Sequence, residues 1–463
     1  MKGYSMINIQ DFKNSRIHFI GIGGCSMSGL AMILNNLGYT VSGSDLRESD
    51  FTDMLRSNGV EVNIGHNASL VNGAGLVIYS AAIKPLNPEF AKAKELGLPM
   101  LERSTALGLL SSDYDKVIGI SGCHGKTTIT SMLALMTMGI AQDPTVHVGG
   151  MVDFLGGGVK LGKGDSFITE ACEYVKSFLT LHPTHIVINN IDDDHLDFYK
   201  DIDDIIDTFR DFVKLMPEDG VLYANPDDEN TKKVIDTCDK KTVTYSIYGN
   251  GDYNAENTAF DENGNGSFDI VYHGENLGRI ELGVVGAHNI QNALAACVVA
   301  MNVYGLSIEQ CAEALKKYHL AGRRFELIGE RDGVKIFHDY AHHPSEIKAC
   351  LAGAKRYPHE KMWVIFQCNS FTRARTLKDK YALAFDDADE VLVPDLFPGR
   401  DVDTGDIHAT DLVNVIDAHS HNCKYIATFE AIKAYLLPRW KKGDIVITLG
   451  SGDVDKQTRK LLS

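Results

Sequence analysis

Short apolar runs alternate along the chain with stretches of helical period, a rhythm that predicts α/β layers on mainly parallel sheets. The rhythm begins afresh three times. The first stretch opens with RIHFIGIGG (16–24), continues in a helix from Ser26 to about Leu37, and returns in YTVSGSD (39–45), with GLVIYS (75–80) among its later strands. Polar, turn-prone SSDYDK (111–116) ends it. The second opens with VIGIS (117–121) and a helix to about Met138, and includes strands SFITEA (166–171) and IVINNI (186–191). Residues 250–280, rich in Asn, Gly and Asp, read as hairpins or loops rather than core, and a helix from near His288 closes the unit. AGRRFELIGERDG (321–333) reads as a charged connection. After it come strands VKIFHDYA (334–341), MWVIFQ (362–367), EVLVP (390–394) and DIVITLG (444–450), with a helix from Ser345. The expected division is 1–112, 113–322 and 323–463.

Composition narrows the class. A chain of 463 residues exceeds one ordinary core. With 44% hydrophobic and 23% charged residues it reads as soluble and globular. The formal charge of −17 opposes nonspecific binding to nucleic acid or an anionic membrane, so a phosphate ligand must be held by local backbone donors and a few cations. Nine scattered cysteines without a CxxC pair suit free thiols in a reducing cytosol. No apolar run approaches the ~18 residues of a membrane span, and MKGYSMINIQDFKNS lacks a hydrophobic signal core. A cytoplasmic protein is expected.

The strongest chemical feature is Gly122-Cys123-His124-Gly125-Lys126-Thr127-Thr128, between a strand and a helix. Small residues let backbone N–H groups curl round a polyphosphate at the positive end of the helix dipole. Lys126 can reach terminal phosphates and the Thr127 hydroxyl can ligate Mg²⁺. The spacing departs from GxxxxGK[ST], because Ile120 occupies the first glycine position.

Glu170 and Glu173 follow one strand, and Asp192-Asp193-Asp194-His195 follow another. In a parallel sheet both ends open on the rim that carries the phosphate loop. There Glu170 and His195 could hold a second Mg²⁺, while Asp192 and Asp193 read as surface residues. Solvated loop acids are the other reading. Gly21, Gly23 and Gly24, with Asp45 at the end of the next strand, resemble a dinucleotide fingerprint whose third glycine is Ser26. The same geometry serves any diphosphate, including that of a UDP-sugar, or plain strand–helix packing.

In this order the motifs resemble the Mur ligases of peptidoglycan synthesis. The resemblance rests on GIGGCSMSGLA, GSD, YSAAI with NPE, GCHGKTT, EACEY, NNIDDDHLD, GAHNIQNALAA, GRRFE, DYAHHPSE, QCNSFTR and LGSGD, which span nearly the whole chain. It implies a Rossmann-like UDP-sugar domain, a central P-loop ATPase domain and a C-terminal Rossmann-like domain for the amino acid. It further implies ATP and Mg²⁺ as cofactors, with UDP-N-acetylmuramate and L-alanine as substrates. Asn289 and Asn292 match adenine-contacting positions, Arg324 an arginine brought to the phosphates, and Asp339 and His342 positions lining the closed site. Arg373 matches a substrate-side arginine. One departure stands out: Asn369-Ser370-Phe371 replace the family's usual His-Arg-Tyr or His-Thr-Tyr.

The implied chemistry converts a lactyl carboxylate into an acyl phosphate, which the amine of L-alanine then attacks, with His342 or His343 as candidate base. Three other readings remain open. One is a sibling ligase that attaches a peptide to the same sugar. The others are a dehydrogenase using the first fingerprint for NAD, and a nucleotide-binding regulator. A monomer or weak homodimer is expected.

Overall fold

The computed structural model describes residues 7–319, 322–397, 399 and 403–463. The first six residues of the N-terminal stretch, and Ala321 at the head of the charged connection, lie outside the described residues.

Among the described residues, three sheets follow one another along the chain. The first is all parallel, in spatial order Glu61–Ile64, Thr40–Asp45, Arg16–Ile20, Ala74–Tyr79 and Met100–Glu102. Residues 17–20 are all buried, as expected for a strand covered on both faces. The winding reverses at Arg16–Ile20, so a crevice opens at its C-terminal end, where Gly21 turns with φ +83°.

The second sheet has ten strands. Lys116–Ser121 runs parallel between His185–Ile188 and Ser166–Glu170. Thr145–Val152 and the antiparallel edge Gly157–Lys160 complete one side. On the other side come Val221–Ala224, Lys241–Ser246 and Tyr253–Phe260, then antiparallel Asn265–Tyr272 and Glu275–Val285. The stretch 250–280 is therefore hairpin, as its composition suggests, yet it is also core. Alternation turns Phe268, Ile270 and Ile280 inward beneath the helix Ala287–Tyr304, fully buried, and leaves the polar residues outside. That helix does not close the unit either. Ser307 caps a further helix, Ile308–Lys316, which buries Cys311 and Leu315.

The third sheet runs Glu326–Arg331, Val334–Asp339, Ile445–Leu449, Met362–Phe366, Glu390–Val393 and Cys423–Tyr425. Only its first strand is antiparallel. Part of the charged connection is thus an edge strand, where charges face solvent. It pairs back through a turn at Asp332 and Gly333, both at positive φ, the conformation that an Asp-Gly hairpin favours.

The units interlock. The helix Cys25–Asn36 lies on Thr145–Val152 so closely that a Cβ on Gly29 would come within 2.9 Å of the His147 ring. No helix among the described residues is long and apolar enough to cross a membrane.

Candidate active site

The phosphate loop leaves Lys116–Ser121 and is braced from the neighbouring strand end. Cys123 N donates to Asn190 O at 3.1 Å, and His124 N donates to Asn190 Oδ1 at 2.8 Å. The side-chain amides of Asn189 and Asn190 donate to His124 O at 3.1 and 3.0 Å. Gly122 (φ +129°) and Gly125 (φ +90°) need glycine's freedom. At Gly125 a Cβ would also lie 2.5 Å from Asn292 Oδ1. The helix Lys126–Met136 then starts with its free N–H groups at the loop.

Lys126 turns back into this loop. Its Nζ donates to both oxygens of Glu173, at 3.0 and 2.9 Å, and to Gly122 O at 2.6 Å. Burial alone would lower its pKa, but the Glu173 carboxylate outweighs that and holds the ammonium above its ordinary range. His195, in the left-handed region at φ +56°, places Nε2 3.7 Å from Glu173 Oε1 and sets its ring, tilted by 39°, 4.6 Å from that of Tyr174. Glu170 ends its strand with Oε1 accepting from Gly149 N at 2.6 Å. Burial raises its pKa, and the Gly149 N–H, Lys126 and the Thr127 hydroxyl pull it back. Lys126, Thr127, Glu170 and His195 thus occupy one rim, with Glu173 joining Lys126 to His195, and Glu170 facing Lys126 and Thr127. The Thr127 hydroxyl and the Glu170 carboxylate are hard oxygen donors of the kind Mg²⁺ takes.

Beside this rim lies a cavity of about 470 Å³ between the second and third sheets. Gly125, Thr128, Asn289 and Asn292 form one wall, and Arg324, Phe325 and Asp339 the other. Asn292 Nδ2 donates to Asn289 Oδ1 at 3.2 Å, and Asn189 Nδ2 donates to Asn292 Oδ1 at 3.1 Å, so the two asparagines also back the loop. The guanidinium of Arg324 stands 5.3 Å over the Tyr340 ring and 3.8 Å from Glu346 Oε1. Its neighbours Arg323 and Phe325 both have positive φ, and Phe325 N donates to Asp339 Oδ2 at 2.7 Å. Burial raises the Asp339 carboxyl, opposed by Arg324.

Two residues expected at the surface are instead a junction. Asp192 Oδ2 accepts from Ser345 Oγ at 2.6 Å and lies 3.2 Å from His124 Nε2. Lys380 donates to Asp193 Oδ2 at 2.7 Å. Arg373 donates from Nη2 to Asp194 Oδ1 at 3.1 Å and from Nη1 to Asn369 Oδ1 at 3.1 Å. The run of three aspartates is where the third unit's cations land on the central one. Burial opposes ionisation of Asp194, but His195 and Arg373 hold its carboxyl far below the usual range. In the departure from the family pattern, Ser370 caps the helix Phe371–Thr376 and Phe371 is buried.

His343 is no candidate base. It caps the helix Pro344–Ala354, with its ring accepting from Ser345 N at 3.3 Å and Nε2 3.2 Å from Asp193 O. His342 keeps Nδ1 3.0 Å from Tyr340 O, and burial pushes its pKa down to about 4, so it is neutral near pH 7. Sequence reasoning missed Glu346. Pro344 with Glu346 two residues on signals a helix start, but not that the carboxylate faces His124 Nδ1 and His342 Nδ1, each at 3.3 Å. His124 is raised to about 10: burial opposes its charge, and Asp192 and Glu346 outweigh burial.

In the first unit, Gly21, Gly23 and Gly24 turn at the crevice, but Asp45 faces the turn itself, its Oδ2 accepting from Gly23 N at 2.9 Å. From Ser26 a polar chain crosses to the rim. Arg103 Nη1 donates to Ser26 Oγ at 3.1 Å, Ser26 Oγ lies 3.2 Å from His147 Nε2, and His147 Nδ1 lies 3.1 Å from Thr169, next to Glu170.

A phosphate loop faced by an arginine from another unit, with acids and a neutral imidazole between, is the arrangement of an ATP-dependent ligase. Known families agree. "Mur ligase family, catalytic domain" matches residues 16–115, "Mur ligase middle domain" 120–300, and "Mur ligase, glutamate ligase domain" 323–452. The chain belongs to the Mur ligase family. It is 43% identical to a UDP-N-acetylmuramate–L-alanine ligase of Caldanaerobacter subterraneus subsp. tengcongensis, over 98% of each chain. Among solved structures it resembles the UDP-N-acetylmuramate-alanine ligase of Thermotoga maritima, with TM-score 0.80 and 25% identity over 96% of this chain and 98% of that one. A murein peptide ligase from Psychrobacter arcticus shares the fold, with TM-score 0.72 and 24% identity over 97% and 98%.

Proposed function

We propose that the chain joins L-alanine to the lactyl carboxylate of UDP-N-acetylmuramate at the expense of ATP, in the cytoplasm, with units divided near residues 112 and 322. The observation that carries this reading is the shared rim of Lys126, Glu170 and His195, faced by Arg324 from the third unit and reached from Ser26 of the first through His147. The alanine-adding relatives match at 43% over the full length, which favours alanine over a peptide as acceptor.

The reaction starts with a carboxylate oxygen of the sugar acid attacking the γ-phosphorus, and the bond to the β-phosphate oxygen breaks. Lys126 leaves Glu173 for the terminal phosphates, and Arg324 faces them across the cavity, so both offset charge on the transferring group. Thr127 would hold one Mg²⁺ and Glu170 with His195 a second, and the ions would supply further neutralisation. The amine of L-alanine attacks the acyl carbon and phosphate departs. Neutral His342 takes the amine proton, its Nδ1–H directed at Tyr340 O and the Glu346 carboxylate leaving Nε2 as the free lone pair. Asn289 and Asn292 face the adenine, and Gly21, Gly23, Gly24 and Asp45 shape the sugar-nucleotide turn. Arg373 orients the acceptor side through Asp194.

The test is phosphate release from ATP with UDP-N-acetylmuramate and a panel of acceptors. L-Alanine should stimulate release well above the other amino acids and above a tripeptide. Release no greater with alanine than without it would overturn the assignment.

A further inference from the structure

Where the helix Pro344–Ala354 meets the phosphate loop, three side chains converge to which the ligation assigns no proton transfer and no metal, although His124 belongs to the loop and borders the nucleotide cavity. His124 Nε2 lies 3.2 Å from Asp192 Oδ2, and His343 Nδ1 lies 3.4 Å from the same oxygen. The three donor atoms all lie within 4.8 Å of one another. Two imidazole nitrogens and a carboxylate oxygen are the donor set of Zn²⁺ and its late first-row neighbours, which bind such atoms at about 2.0–2.2 Å.

The outer partners fit as well. An imidazole that binds metal through one nitrogen is held by a carboxylate or carbonyl at the other. Here the Nε2 of His343 points at Asp193 O, 3.2 Å away, and the buried Nδ1 of His124, which makes no hydrogen bond, lies 3.3 Å from the Glu346 carboxylate that can take it up. Ser345 Oγ, 2.6 Å from Asp192 Oδ2, fixes the orientation of the carboxylate.

We propose that His124, Asp192 and His343 form a site for a divalent transition ion of the Zn²⁺ class, with water in the fourth position. Loading displaces a proton from His124, and His343 gives up its contact with the Ser345 N–H. Two ligands come from the central unit and one from the third, so the ion staples the third unit to the phosphate loop. Its donors are distinct from Thr127, Glu170 and His195, and it does not depend on which amino acid the enzyme accepts.

The test titrates the full-length chain, stripped with chelator, with Co²⁺ as a spectroscopic stand-in for Zn²⁺. One equivalent should give visible d–d bands without a thiolate charge-transfer band, and Zn²⁺ should displace it. His343→Gln and Asp192→Asn should each weaken binding about 10-fold or more and abolish the rise in melting temperature that Zn²⁺ gives the parent. Asp192→Asn preserves shape and serves if His343→Gln does not fold. A thiolate band, which would assign binding to cysteines, overturns the proposal, as does unchanged affinity in a variant whose circular dichroism matches the parent.

Discussion

Lys126 Nζ sits 2.9 Å from Glu173 Oε2 while also donating to the carbonyl oxygen of Gly122, so the loop holds its own lysine until a polyphosphate takes it. Glu173 is almost wholly buried, at 1% exposure, which makes the pair costly to break.

Lys126→Ala removes the cation at the terminal phosphates. Turnover should fall about 10³-fold or more, with circular dichroism unchanged. A folded variant with parental turnover would rule out the loop as the site of phosphoryl transfer.

Glu173→Gln strands the lysine, and a loss of about 3 kcal/mol is expected for one broken buried pair. Mg-ATP offers the lysine new partners, so it should raise the melting temperature of this variant more than that of the parent. Equal shifts would mean that Lys126 stays off the phosphates.

Arg324 carries a planar, forked set of donors and holds it beside the Tyr340 ring. Arg324→Lys keeps the charge and loses the fork, and should still cost about 10²-fold in kcat. Full rescue by lysine would reduce its role to bulk charge.

A Cβ on Gly108 would lie 2.0 Å from the carbonyl oxygen of Thr180, where the helix Arg103–Ser111 crosses the segment Tyr174–Thr180. Backbone cannot yield as a side chain can, so Gly108→Ala should cost about 3 kcal/mol. Calorimetry would detect this, and an unchanged melting temperature would show the crossing to be looser than described.

His338 and His147 are buried and held neutral down to about 4, by burial first and by Arg323 and Arg103 respectively. Unfolded histidine takes its proton near pH ~6.5. Between these values the unfolded chain binds more protons, so stability should fall as pH drops from about 6.5 toward 4. His124, raised to about 10, acts oppositely: its contribution is complete below about 6.5 and is lost as pH rises toward 10. His338→Gln should flatten the acid limb of a melting curve against pH. An unaltered limb would remove His338 from this account.

Strand positions were legible where burial is on both faces, as in VIGIS and MWVIFQ, because short β-branched and aromatic apolar runs that stop after five or six residues suit a covered parallel strand better than a helix. The stretch 250–280 was harder. Its Asn and Gly mark turns, but whether Phe268 and Ile270 find a helix to cover them depends on residues further along the chain. The connection at 321–333 hid a strand because edge strands carry charge and read as loop.

The sequence by itself determined the phosphate loop, since glycine, lysine and threonine at that spacing have a local job that needs only the strand before and the helix after. It also determined which acids end the parallel strands. Tertiary structure alone decided what those acids do. Asp192 and Asp193 become a junction, and Glu346 a counter-ion to His124, only because Ser345, Lys380 and the helix Pro344–Ala354 fold back onto the central unit. The role of a charge is set by what lies within about 4 Å of it, and between residues some 150 positions apart that distance is written in the packing of sheets rather than in any local motif.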